Sequence, residues 1–209
     1  MSSRAPADYG KNVFINCPFD EEYLPLLRAI TFTVTFCGFN ARCALEVQDA
    51  SEVRLAKILR LILESRLSIH DISRTALDRE NGLPRFNMPF ELGICVGAAH
   101  FGGKSQAQKR LLVLDVERYR FQKFLSDIAG QDIKAHHNDQ PTAISVTREW
   151  LNDFHSGGSL PGGKAIAAQY RRFCDRIPTM LKAIRLHESE VLFSDWKRLI
   201  EQWLKEPEV

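Results

Sequence analysis

"ASEVRLAKILRLILESRLSIHDIS", residues 50–73, is the stretch whose reading decides the fold. Its first part has Val53, Leu55, Ile58, Leu59, Ile62 and Leu63 on one side of a helix predicted over 50–66. It runs straight into "LSIHDIS" (67–73), an apolar strand with Asp71 at its C-terminal end. Upstream, "NVFINCPFD" (12–20) carries a short β-rich run at Val13–Ile15 that breaks at Cys17-Pro18. "EEYLPLLRAITFTVTFCGF" (21–39) has helical spacing and ends at Gly38, and "FNARCALEV" (39–47) predicts a second strand. Downstream, "NMPFELGICVGAAHFG" (87–102) supplies a helix that tolerates Pro89 only near its start, and "KRLLVLD" (109–115) is as apolar as a central parallel strand. The order βαβαβαβ predicts a flavodoxin-like, doubly wound α/β sheet, mainly parallel, with strands near 13–16, 39–45, 67–71 and 110–115.

The remainder is read from weaker signals. "YRFQKFLSDIAGQ" (119–131) reads as a helix or a helical turn, "DIKAHH" (132–137) as a short fifth strand, and "PTAISVTREWLNDFH" (141–155) as a helix opened by Pro141. "SGGSLPGG" (156–163) marks a boundary. It separates an α/β domain, 1–160, from a C-terminal helical extension, 161–209, with helices over 164–186 and 194–204. Trp150, Phe154, Tyr170 and Phe173 are expected to form the seam between them. The stripe Leu192, Phe193, Trp196, Leu199, Ile200 and Trp203 is too apolar for a solvated tail; it is expected to pack on the core and to contribute to a homo-oligomer.

Composition narrows the classes. At 209 residues, 44% hydrophobic and 26% charged, the chain reads as soluble and globular. A net charge of +2 makes no case for direct nucleic-acid binding or a membrane surface. Five scattered cysteines without a C-x-x-C pair read as reduced, mostly buried thiols of a cytoplasmic protein, with no metal site. The N-terminus has no apolar signal core, and no apolar run approaches the length of a membrane span.

In an open parallel sheet, ligands bind beyond the carboxyl ends of the strands, where the strand order reverses. That rule gathers Asn16, Phe19 and Asp20 after the first strand, Arg42 and Glu46 after the second, and His70, Asp71, Ser73 and Arg74 after the third. The loop then leads to Arg85, Asn87 and Glu91, a glutamate read as lying in the first turn of its helix.

The pattern Asp71-x-Ser73 followed by Asn87-x-x-x-Glu91-Leu92-Gly93 resembles the strand–loop–helix of the nucleoside 2-deoxyribosyltransferase and TIR-like superfamily. Arg54-x-x-x-Ile58 is similar to a segment common in bacterial TIR-like proteins, and "VFINCPFD" resembles the strand and "PF" loop of the deoxyribosyltransferases. The likeness covers about residues 12–116. The loop from Asp71 to Glu91 is longer than the family's compact form, and Asn16-Cys17-Pro18 replaces a Gly-rich first loop. The resemblance implies hydrolysis or transfer at an N-glycosidic bond, with NAD or another nucleotide or nucleoside as substrate or ligand and no further cofactor. It also implies a role as an antiphage defence effector in bacteria. Glu91 and Asp71 would be catalytic. Asn16, Phe19, Asp20, Arg42, Glu46, Arg85 and Asn87 would bind substrate, with Phe86 a second stacking candidate and Arg54 a further phosphate contact. The physics agrees: breaking this bond builds positive charge on the sugar, which a fixed carboxylate stabilises.

Each residue has a plainer reading. Glu91 would only complement a helix dipole, an effect of about 0.3–1 kcal/mol. Asp71 would cap a turn, and His70 would be a satisfied core histidine. At the level of the whole chain, the alternatives to an enzyme are a non-catalytic nucleotide-sensing module and an oligomerising interaction domain with a vestigial cleft. Cys17 as a nucleophile is the most distant, since no histidine partner can be named for it.

Overall fold

The computed structural model describes residues 8–46, 51–75 and 82–206, together with 6, 49 and 77. The predicted strand end at Val47, helix start at Ala50 and last residues 207–209 lie outside them.

Five strands, β1 (Asn12–Asn16), β2 (Asn40–Arg42), β3 (Leu67–Asp71), β4 (Arg110–Asp115) and β5 (Lys134–Ala135), form one sheet in the order β2-β1-β3-β4-β5. Every pairing is parallel. This is the flavodoxin-like order, whose direction of winding reverses between β1 and β3. The register sets Asn16 opposite His70 and Asp71 opposite Leu114, so the polar strand ends share one edge.

Six helices cover the sheet among the described residues: α1 (Leu24–Phe36), α2 (Arg54–Glu64), α3 (Asn87–Phe101), α4 (Gln140–Asn152), α5 (Gly163–Ile184) and α6 (Phe193–Trp203). Alternation along the strands divides the core. Val13, Ile15, Leu67, Ile69, Leu112 and Leu114 pack with α1, α4, α5 and α6. Phe14, Ile72 and Val113 face α2 and α3. α1 lies at the centre of the first layer, and all but one of Leu26–Val34 are buried.

Two local expectations, for β2 and α2, are corrected, and a third is narrowed. β2 stops at Arg42 instead of reaching residue 45, because the Arg42 guanidinium clasps both oxygens of Glu46 at 2.6–3.0 Å and closes a turn. Residues 119–131 take the shorter of the two forms expected, two 3₁₀ turns, Arg120–Lys123 and Ser126–Ile128. Tyr119 takes a left-handed φ of 63°, and Arg120 is tied back to Asp115 and to the carbonyls of Ile72 and Ser73, which holds the chain off a helical path. α2 spans 54–64 instead of 50–66; Lys109 Nζ donates to the carbonyls of Ile62 and Ser65, and Asn12 to that of Glu64, which satisfies the helix end.

The C-terminal stripe packs on the core as expected, but it is used within the chain. Phe193, Trp196, Leu199 and Ile200 are buried, and Trp196 Nε1 donates to the Arg28 carbonyl of α1 at 3.2 Å. Of the stripe Leu192 remains exposed and Trp203 is half-buried. Phe173 stacks on Phe32 at 5.3 Å and meets Trp196 and Trp203 at 5.1 and 5.7 Å. Phe173→Ala is expected to cost about 3–5 kcal/mol in urea unfolding. A chain ending at Gly163 is expected to lose its cooperative thermal transition; a sharp transition in that chain would show that α1 does not depend on α5 and α6.

Candidate functional site

At the β1/β3 reversal the structure opens a cleft of about 240 Å³, lined by Cys17, Pro18, Phe19, Asp20, Arg54, Arg74, Arg85, Asn87 and Met88. Pro18 ends the ladder of β1 and turns the chain outward, which sets Phe19 and Asp20 on the rim. Arg54 opens α2 and sits 5.7 Å over the Phe19 ring, a cation–π contact. Arg74, from the loop after β3, pairs with Asp20 at 3.3 Å and Glu22 at 2.8 Å. Asp20 also accepts the backbone N–H of Tyr23, which fixes the approach to α1. The cleft is smaller than the roughly 300–1,000 Å³ of an ordinary ligand pocket. Larger hollows of about 480 and 340 Å³ at the β4–β5 edge contain none of the expected site residues.

Phe19, Asp20, Arg85 and Asn87 are therefore brought together as the sequence predicts, with Arg54 and Arg74 beside them. Arg42 and Glu46 are not on this cleft; they bind each other, and Arg42 also reaches Glu64 at 3.2 Å. Asn16 is buried beneath, its Nδ2 donating to His70 Nδ1 at 3.0 Å. Phe86 is exposed and outside the lining.

Glu91 is the fifth residue of α3, beyond the first turn, where the helix-end field has faded. Dipole compensation does not account for it. The carboxyl is buried, and its Oε2 has no hydrogen-bond partner. It lies one turn past Asn87 and Met88 on the same side of the helix. Burial raises its pKa, and the nearby Arg54 charge pulls it back. Glu91 is not itself among the residues that line the cleft; Arg54 is the lining residue whose charge it feels.

Asp71 is placed differently from its expectation. It is fully buried and does not line the cleft. Its Oδ1 accepts the Ser73 N–H at 2.8 Å, and its Oδ2 accepts the Tyr23 hydroxyl at 2.6 Å. His136 Nε2 stands 3.1 Å from the same Oδ2, off the line of a good hydrogen bond. Because His136 Nδ1 accepts the Asn138 N–H, the ring proton is on Nε2, facing Asp71. Burial first, and then the Asp71 charge, push the Tyr23 hydroxyl well above its usual range, so it remains the donor. Tyr23 and His136 have no sequence signal as partners of Asp71; only the topology joins residues 48 and 65 positions away. Tyr23→Phe is expected to cost about 1–3 kcal/mol, because the buried carboxylate loses a donor. Urea unfolding at neutral pH checks this, and a loss under about 0.5 kcal/mol would remove Tyr23 from the cluster.

Cys17 lines the cleft, but burial together with the charges of Cys43, Asp71, Asp20 and Glu91 pushes its thiol well up. A protonated thiol is a poor nucleophile, which weighs against a Cys17 mechanism. Among the described residues no group of three or more His, Cys, Asp or Glu side chains is placed to hold a metal ion. No described helix is long and apolar enough to cross a membrane.

His70 is buried against the edge of Phe14, and its Nε2 has no partner, so this core histidine is only half satisfied. Burial, with the Lys109 charge, lowers its pKa to about 3. An unfolded histidine takes its proton near pH 6.5. The folded state refuses that proton, so the contribution of His70 is full above about pH 6.5 and is lost as pH falls towards about 3. Urea midpoints measured between neutral pH and the onset of carboxylate titration should fall with acid. The slope should flatten in His70→Asn, and an unchanged slope would reject the assignment.

The fold and the cleft define a class: an α/β protein of flavodoxin-like topology with an arginine-lined cleft at its switch point and a buried carboxylate beside it. No family model matches the chain, and no curated protein or solved structure matches it either.

Proposed function

We propose that this cleft binds the sugar-phosphate end of a nucleotide or nucleoside, NAD among the candidates, and that Glu91 acts on its N-glycosidic bond. The observation that carries the reading is the buried Glu91 carboxyl with Oε2 unpartnered, next to Arg54. Three arginines on the lining suit a phosphate, which a guanidinium grips in a bidentate fashion. Phe19 offers a flat apolar surface for a base. In the reaction the carbon–nitrogen bond breaks with its electron pair leaving on the base, which gains a proton. The sugar carbon is taken by water in hydrolysis or by an incoming nucleophile in transfer. Glu91 stabilises the positive ring between these events. Asp71, enclosed by Tyr23, Ser73 and His136, is a positioning residue for the loops.

A second reading, a nucleotide-sensing module without turnover, is favoured by one observation. Asp71 is fully engaged by the protein, so the cleft lacks the second free carboxylate that glycosidic hydrolysis ordinarily uses. In either reading the function suits an antiphage effector or sensor working in the cytoplasm.

Glu91→Gln separates these readings. It keeps shape and hydrogen bonding and removes the charge, so base release from NAD or a nucleoside panel should fall by roughly 10²–10³. The variant should also be at least as stable as the wild type above the ordinary carboxylate range. A carboxyl whose pKa is raised by folding destabilises the fold once it ionises, and that difference should vanish in acid. Wild-type turnover in a folded variant would sink the catalytic assignment. Nucleotide binding without turnover in both proteins would favour the sensor.

A further inference from the structure

We infer that the outer side of α2 and α3 pairs with the same surface of a second copy of this chain. The two layers on the sheet are unequal: four helices cover one face and only these two cover the other. A helix apolar on every side belongs in an interior. α3 is such a helix, with Asn87, Glu91 and His100 its only polar side chains. Its inner side holds Met88, Leu92 and Cys95, while Phe90, Gly93, Gly97 and Phe101 recur on its outer side. Phe90 is 58% exposed and Phe101 91% exposed.

α2 continues the same surface. Leu55, Leu59 and Leu63 are exposed at i, i+4 and i+8. Arg60 and Glu64 are held on its opposite flank by their pairs with Glu52 and Arg42. Ile94 and Ala98 of α3 pack on the cluster of Ile58, Leu61 and Ile62, so the leucines and phenylalanines border one shallow groove. Taking about 200 Å² for a whole phenylalanine, Phe90 and Phe101 alone leave roughly 300 Å² open. With the leucines the patch comes to about 550 Å², the upper end of the roughly 300–600 Å² that the largest patch of a monomer reaches and a size that is often functional. It supplies the apolar centre of an interface of about 800 Å² per partner.

The glycines indicate a copy of this helix as occupant. Glycine inside a helix lowers stability relative to alanine. Nothing within this chain demands it here: a methyl at Gly93 meets nothing within 4 Å, and one at Gly97 meets only Phe101 Cδ2 at 3.9 Å. What the missing side chains admit therefore lies outside the chain. The stripe from Phe90 to Phe101 is about 16 Å long, with Gly93 and Gly97 near its middle. A two-fold axis there crosses the helices at their glycines and sets Phe90 against Phe101 of the second copy. None of Leu55, Leu59, Leu63, Phe90, Gly93, Gly97 and Phe101 is charged, so a self-complementary apolar partner satisfies the patch.

Light scattering and sedimentation of the full chain test this. The wild type should run at twice the chain mass. Phe90→Glu with Phe101→Glu should be monomeric with unchanged far-ultraviolet dichroism, since both side chains are exposed. Gly97→Ala should raise the melting temperature of the monomer while weakening the dimer by roughly tenfold. A monomeric wild type, or a dimer untouched by the paired glutamates or by the alanine, overturns the proposal.

Discussion

Asp71 closes the central strand with no water on its carboxylate, and three separate parts of the chain converge to make that tolerable. Burying a carboxylate costs several kcal/mol unless its oxygens find donors. The Ser73 N–H comes from the loop after β3, the Tyr23 hydroxyl from the entry to α1, and His136 from the end of β5. The two donors, Ser73 and Tyr23, fix the positions of their own loops as they satisfy the carboxylate, and His136 lies against it at 3.1 Å. The β1, β3 and β5 ends are thereby locked along the edge where the cleft opens, and Tyr23 and Asp71 link the two sides of the switch point.

A second buried carboxylate extends the same device along the edge. Asp115 ends β4 and grips Arg120, whose guanidinium also bonds Thr75 and the carbonyls of Ile72 and Ser73. Burial raises the pKa of Asp115, and Arg120 and the Val116 N–H oppose the rise. These contacts hold the loop that carries Arg74. Glu91 is the contrast: it is buried as well, but neither a helix terminus nor a donor answers its Oε2. Asp115 Oδ2 is likewise without a partner, but its Oδ1 is held by Arg120 and the Val116 N–H.

The fold was legible because a single-period signal carried it. The 3.6-residue pattern of α2 running into the apolar β3 leaves little besides a parallel crossover, and the strand order then followed from the alternation of elements. Phe19, Asp20, Arg85 and Asn87 were found by the same rule, since residues just past parallel strands must emerge at one edge. The rule fixes an edge but no partner. It could not tell that Arg42 would satisfy Glu46 four residues on, that Asn16 would turn inward to His70, or that Tyr23 and His136 would enclose Asp71. Helix boundaries failed for a related reason. α2 ends where Lys109 and Asn12 reach its carbonyls, and residues 119–131 bend to bonds made by Arg120; both are decided by residues distant in sequence.

The apolar C-terminal stripe shows how periodicity can identify a buried face without identifying its cover. Leu199, Ile200 and Trp196 are as apolar as Leu55, Leu59 and Leu63, yet the first set is sealed against α1 and the second is open. The sheet accounts for the difference. α1 is buried almost all round and requires α4, α5 and α6 about it, so the long C-terminal segment is committed to one layer. Among the described residues no further α-helix covers the other layer, where the turns of 120–128 add Phe121 beside α3, and α2 and α3 meet the solvent with their second apolar sides. The same two helices carry Arg54, Asn87 and Glu91 at their cleft ends. The open layer and the cleft are therefore built on the same pair of helices, and the spacing of Arg54 and Glu91 is set by how those helices pack.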